Sequence, residues 1–116
     1  MAVYFRNQYA VGVGAVSGAQ AWIPLDIHQN PFSVDFFINR VSGGGDSTCR
    51  VEHTHMNVLA DASVPAVAVF THVDASAVAV SADGNYAFPV RAIRLNLTQG
   101  SGATSYDFAV IQGDGR

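Results

Sequence analysis

The sequence predicts an all-β fold, an antiparallel β-sandwich of jelly-roll-like form with an extended N-terminal arm, on three observations. Apolar residues recur with period two along several segments, as half-buried strands require. Gly, Asp, Asn and Ser cluster between those segments at intervals of about ten residues, the spacing of short-stranded sandwiches and barrels. The charged inventory is that of turns and not of helices: lysine is absent, Glu52 is the only Glu, and eight Asp accompany 11 Gly. With 116 residues, 49% of them hydrophobic, and a net charge of −3, the chain supports one domain with one core and is not a disordered polymer. No apolar run approaches the roughly 18 residues of a spanning helix, so no membrane partner is expected. Six scattered arginines form no basic stripe, which excludes nucleic acid as a partner.

Residues 1–18 stand apart from the remainder, 19–116, which reads as the sandwich domain. They join the aromatic cluster Tyr4, Phe5 and Tyr9 to a small-residue stretch with Gly12, Gly14 and Gly18. A secretory signal fits poorly, because its charged and apolar regions are both weak here. The segment reads as a flexible assembly arm or, alternatively, as the first edge strand of the sandwich. Ile23, Leu25 and Ile27 form a strand that Pro24 confines to an edge or a bulge. Phe32, Val34, Phe36 and Ile38 then alternate with Ser33, Asp35, Phe37 and Asn39, which leaves Phe37 as an aromatic outside the core. The loop from Ser42 to Ser47 has the residues of a hairpin. Beyond it, Thr48 to Val58 places Cys49, Val51, His53 and His55 on one face and Arg50, Glu52, Thr54 and Met56 on the other.

A helical turn is expected at Leu59 to Ser63, ended by Pro65. Val67 to Val73 and Ala77 to Ser81 read as strands buried on both faces, and Asp83-Gly84-Asn85 as a tight turn. Ile93, Leu95 and Leu97 alternate with Arg94, Asn96 and Thr98, and Tyr106, Phe108 and Val110 with Asp107 and Ala109. Gln99 to Gly102 reads as a hairpin between these two strands. Phe36, Ile93, Leu95 and Phe108 are the expected centre of the core.

Little in this chain is arranged for catalysis. His53-x-His55 could present two imidazoles to a metal, with His72 or His28 as a third ligand. The metal-binding cupin pattern, however, adds a Gly before the first His and a Glu after the second, where this chain has Ser47 and Leu59-Ala60-Asp61. Neither a metal site nor a cofactor is expected. Cys49 falls mid-strand on the core face, unlike accessible catalytic thiols, and as the only cysteine it has no internal disulfide partner. No Gly-x-Ser-x-Gly elbow or helix-capping glycine loop occurs, and no catalytic residue is assigned. Trp22, Phe37 and Tyr86, with the polar run Asp83-Gly84-Asn85, are the planar and polar groups that a carbohydrate-binding module would use.

The segment Ala82-Asp-Gly-Asn-Tyr-Ala-Phe-Pro-Val-Arg-Ala-Ile-Arg-Leu-Asn-Leu-Thr98 with Asp107-Phe-Ala-Val-Ile-Gln-Gly113, and Arg50-Val-Glu-His-Thr54 upstream, resembles a family of small tailed-bacteriophage virion proteins. The resemblance covers residues 32 to 113 and is strongest in the Pro-Val-Arg-Ala-Ile-Arg-Leu-Asn run. It implies a virion β-sandwich without enzymatic activity. The expected function is a capsid decoration protein, made in the bacterial cytoplasm and seated on the capsid exterior. Its partners would be the major capsid protein or other virion proteins, and it would act as a homo-oligomer, a trimer or dimer. A tail, neck or fibre-associated component and a host-attachment carbohydrate module are the alternatives. Val3, Tyr4, Phe5 and Tyr9 on the arm, with Arg91 and Arg94 outside the core, are the expected interface residues; the two guanidinium forks suit carboxylates of a neighbouring strand or subunit.

Overall fold

The period-two segments become two antiparallel sheets in the computed structural model, which describes the backbone of residues 3–11 and, in full, residues 18–29, 31–43, 47–98 and 104–113. Val3–Val11 form β1, Gly18–Ala19 β2, Ile23–Pro24 β3, Val34–Gly43 β4, Thr48–Thr54 β5, Phe70–Thr71 β6, Ser81–Tyr86 β7, Ala92–Thr98 β8 and Thr104–Gln112 β9. One sheet has the order β1-β9-β4-β7; the other runs β2-β8-β5-β6, with β3 also paired to β8. Apart from the short β3, this is the strand order of a jelly roll. The expected all-β sandwich is therefore correct.

The alternation written in the sequence decides which faces meet. Phe32, Val34, Phe36 and Ile38 are buried from the β4 side, Tyr106, Phe108 and Val110 from β9, and Ile93, Leu95 and Leu97 from β8. Cys49 and Val51 on β5 close the core from the second sheet. Buried polar groups seal one end: Ser47 and Thr104 share a hydroxyl bond at 3.0 Å, and the Tyr106 hydroxyl donates to the Ser47 carbonyl at 3.0 Å. At another crossing the buried Gln112 amide clamps the loop after β3. Its Oε1 accepts the Asp26 N–H at 2.9 Å and its Nε2 donates to the Asp26 carbonyl at 2.7 Å.

The N-terminal segment expected as an arm includes β1, which runs along β9 from Val3 opposite Gln112 to Val11 opposite Thr104. Residues 12–17 of that segment lie outside the described residues. Other expectations need correction. Strands β4 and β5 belong to different sheets, as do β8 and β9, so the Gly-rich loops between them are corner crossings and not hairpins. The loop tips, residues 44–46 and 99–103, lie outside the described residues. Val67 to Val73 is not a buried strand: two single-turn 3₁₀ segments flank the two-residue β6, and Val67 and Val73 are 86% and 83% exposed. From Ala77 to Ser81, only Val78 is buried, bridging to Cys49, and Ser81 begins β7 opposite Asn39. The strand expected at Ile23 to Ile27 reduces to Ile23–Pro24, at the outer margin of β8.

Asp83-Gly84-Asn85 is not a turn. It lies within β7, with Gly84 directly opposite Phe36 on β4. The glycine is needed for packing: a Cβ there would stand 2.6 Å from Phe36 Cζ and 3.1 Å from His72 Cε1. The Phe36 ring thus fills the place that the Gly84 side chain would take. Gly84→Ala is expected to destabilise the domain by about 1–3 kcal/mol through overpacking. Combining it with Phe36→Leu in a double-mutant cycle of urea melts should recover part of that loss. Strict additivity would show that the two positions do not compete for one space.

Candidate functional site

Two clusters of polar and aromatic side chains stand out on the second sheet, and each begins from β5. At its C-terminal end, His53 is buried and its Nδ1 lies 2.8 Å from the Tyr86 hydroxyl. Its ring stacks near Phe70 at 5.9 Å and meets Phe88 edge-on at 6.1 Å. Phe70 and Phe88 are each half exposed, so an aromatic rim surrounds a buried imidazole. Burial, with added repulsion from His55 and His72, pushes the His53 pKa down to about 4.

Of the other histidines weighed as metal ligands, only His72 has its ring tied into internal hydrogen bonds among the described residues. His72 Nε2 donates to the Asn85 carbonyl at 2.8 Å, and its Nδ1 accepts the Asp74 N–H at 3.1 Å. Those two bonds require the neutral tautomer with its proton on Nε2. His55 is exposed, its ring 5.8 Å from that of His53 and perpendicular to it. His28 lies on the exposed loop after β3. Among the described residues no group of three or more His, Cys, Asp or Glu is placed to share a metal ion, and no helix is long and apolar enough to cross a membrane.

Cys49 is 1% exposed, its thiol pointing at the Val78 carbonyl 3.7 Å away. Burial pushes its pKa up to about 12. At neutral pH native Cys49 is expected to resist iodoacetamide over a period in which the urea-unfolded chain is fully alkylated, read by intact mass. Equal labelling rates in the two states would place the thiol outside the core.

The second cluster was missed as a site, although its faces were read correctly. Glu52 projects from the outer face of β5, yet it is only 2% exposed. Its Oε2 accepts from Arg50 Nε at 2.7 Å and Asn96 Nδ2 at 3.0 Å, and its Oε1 from Arg94 Nε at 2.8 Å. Arg94 stands directly opposite Glu52 across the β5–β8 ladder, and Asn96 opposite Arg50. Burial by itself would raise the Glu52 carboxyl; the donors Asn96, Arg50 and Arg94 outweigh it and hold the group below its usual range. Trp22 supports the cluster from behind, with the Arg94 guanidinium carbon 4.2 Å from its ring centre. Period two identifies Glu52 as outward-facing. It carries no sign of Val64, Ala66, Val69 and Thr71, which wall the space over it.

The residues expected at an interface divide between the two sheets. Val3, Tyr4, Phe5 and Tyr9 lie on β1 opposite Gln112, Ile111, Val110 and Tyr106; their side chains lie outside the described residues. Arg94 meets the carboxylate of a neighbouring strand. Arg91, just before β8, is exposed while its backbone N–H donates to the Thr54 carbonyl at 3.0 Å. The three aromatic groups considered for carbohydrate are likewise separated. Tyr86 is fully buried, Phe37 is half exposed on the outer face of the same sheet, and Trp22 lies beneath Arg94.

No family model and no curated protein matches this sequence. Among solved structures, the chain is similar to one from the Bacillus endospore appendages, which form a novel family of disulfide-linked pili. The TM-score is 0.50 at 10% identity, over 96% of this chain and 85% of that one. At that identity the likeness is one of fold, and what the two chains share is an all-β sandwich.

Proposed function

We propose that this protein is a non-enzymatic structural subunit of a larger assembly and, more finely, a decoration protein on the capsid exterior of a tailed phage. The observation that carries the reading is the outer face of the four-stranded sheet. Phe37 and Ile111 are 48% and 44% exposed there. They line, with Ala109, a shallow depression rimmed by Asp35, Asp83 and Asn85. An apolar centre within a polar rim, on a rigid sheet, is the anatomy of a protein contact surface. The thiol and imidazoles weighed for catalysis support the same reading, because Cys49, His53 and His72 are engaged in packing and internal bonds. The phage assignment itself rests on the sequence resemblance across residues 32 to 113. The major capsid protein is then the partner, and a dimer or trimer the working form.

Quantitative mass spectrometry of particles purified from a lysate carrying this gene tests the proposal. A copy number comparable with that of the shell protein is expected. A few copies per particle would transfer the protein to the tail, neck or fibres, and its absence from particles would overturn the virion reading.

A further inference from the structure

We infer that the outer face of the second sheet carries a binding site for a carboxylate-bearing sugar, with Arg50 and Arg94 as the residues that take the carboxylate. The site neither supports nor depends on the capsid reading, and either can fail alone. Both arginines reach Glu52 through Nε alone. A guanidinium has five N–H donors, four of them on the two terminal nitrogens. Among the described residues those terminal nitrogens make no other hydrogen bond or ion pair. Glu52 therefore orients two guanidinium groups by their inner nitrogens and leaves their outer edges available. Those edges are the ones that grip carboxylates in two-pronged bonds.

The surroundings restrict the ligand. Two arginines and one ionised glutamate leave a single positive charge in a protein of net charge −3. One positive charge complements a monoanion and is a poor match for a phosphate dianion. The depression over Arg50, Glu52 and Arg94 has a volume of about 320 Å³, walled by Val64, Ala66 and Val69 and by Thr71 and Asn96. That size lies at the lower end of small-molecule sites, roughly 300–1,000 Å³. An apolar wall facing amide and hydroxyl groups matches a sugar ring, which has C–H faces and a hydroxyl edge.

Past Arg94 the surface opens into a second depression, of about 380 Å³, lined by Gln20, Trp22, Leu59 and Ala62 among others. Arg94 lines both depressions, so the groove can take more than one ring. Arg94 itself is held between Glu52 and the Trp22 ring, with its side chain 19% exposed, while Arg50 at 48% faces the solvent. Such preorganisation lowers the ordering cost of binding.

The test is a calorimetric and NMR titration of the intact protein with a short oligogalacturonate, its fully methyl-esterified form, inorganic phosphate and polyglutamate. Saturable binding of the oligogalacturonate is expected, with amide shifts at Thr71 and Asn96. The methyl ester, which keeps the sugar skeleton but lacks the charge, should bind about tenfold more weakly or worse, the scale of one lost charge-assisted contact. Arg50→Gln should weaken oligogalacturonate by about the same factor while keeping the native fold by circular dichroism, although Glu52 loses one of its three donors. Absence of saturable binding would overturn the inference, as would equal binding of the ester or an unaffected Arg50→Gln variant. Tighter binding of phosphate would make this a general anion site, and tighter binding of polyglutamate a protein contact; each outcome would replace the sugar.

Discussion

Phe36→Ala is expected to cost about 3–5 kcal/mol, a large part of the roughly 5–15 kcal/mol that holds a domain together. The ring is 2% exposed and touches three other rings: His72 edge-on at 4.9 Å, Tyr86 at 6.0 Å and Phe108 at 6.5 Å. Because Gly84 has no side chain to fall into the space, truncation leaves a void among His72, Tyr86 and Phe108. The neighbouring Phe37, 48% exposed on the opposite face, provides the control. Phe37→Ala should change stability by only about 0.5 kcal/mol. Urea midpoints of the two variants measure the phase of β4 directly, since a one-residue slip would exchange their effects. Similar midpoints for both would contradict the packing described here.

Acidification provides the second large effect. His53 titrates near 4 in the folded chain and near 6.5 when unfolded, so the unfolded state takes up the proton first. Stability is therefore full above about pH 6.5 and falls as the pH drops towards 4. The limit is about 3 kcal/mol, at 1.36 kcal/mol per pH unit of displacement. Glu52 adds acid sensitivity in a lower window. Its carboxyl is held below the ordinary 4.5, so its contribution is lost only as the pH falls below that value. The interval from pH 6.5 to 5 thus separates histidine from Glu52, and a His53 variant isolates the share of that residue. Urea titrations across that interval should show a falling midpoint in the parent and a flatter one in His53→Phe, which keeps a ring between Phe70 and Phe88. Parallel slopes in the two proteins would remove His53 as the source.

How far the sequence revealed this molecule depends on the range of the interaction. Alternation is local, and it located the buried faces of β4, β8 and β9 down to Phe36, Ile93, Leu95 and Phe108, all buried. Partner choice is not local. Glycine-rich loops such as Ser42 to Ser47 look the same whether the chain doubles back within a sheet or crosses to the other sheet, and here it crosses. Asp83-Gly84-Asn85 has turn chemistry, yet its glycine answers to a phenylalanine 48 positions earlier. The β-branched valines of 67–73 favour extended backbone, but few partners meet them there, and Val67 and Val73 stay exposed. The Glu52 cluster needed the register of β5 against β8 before its donors could be counted. The outward faces of Arg50, Glu52 and Arg94 were legible in advance, as was the fitness of Arg94 for a neighbouring carboxylate.

The pairing of β1 with β9 also determines how the molecule bears load. Val3 lies opposite Gln112 and Val11 opposite Thr104. Tension applied through Val3 and Gln112 pulls at one end of the ladder and opens its hydrogen bonds one after another, like a zip. Tension applied through Val11 and Gln112 acts along the strands and stresses the bonds of the ladder together. The same strand pair is thus compliant to a pull from one direction and stiff to a pull from the other. In an assembly under strain, a neighbour attached near Val3 would peel the edge strand away, whereas one attached near Val11 would be held by the whole ladder.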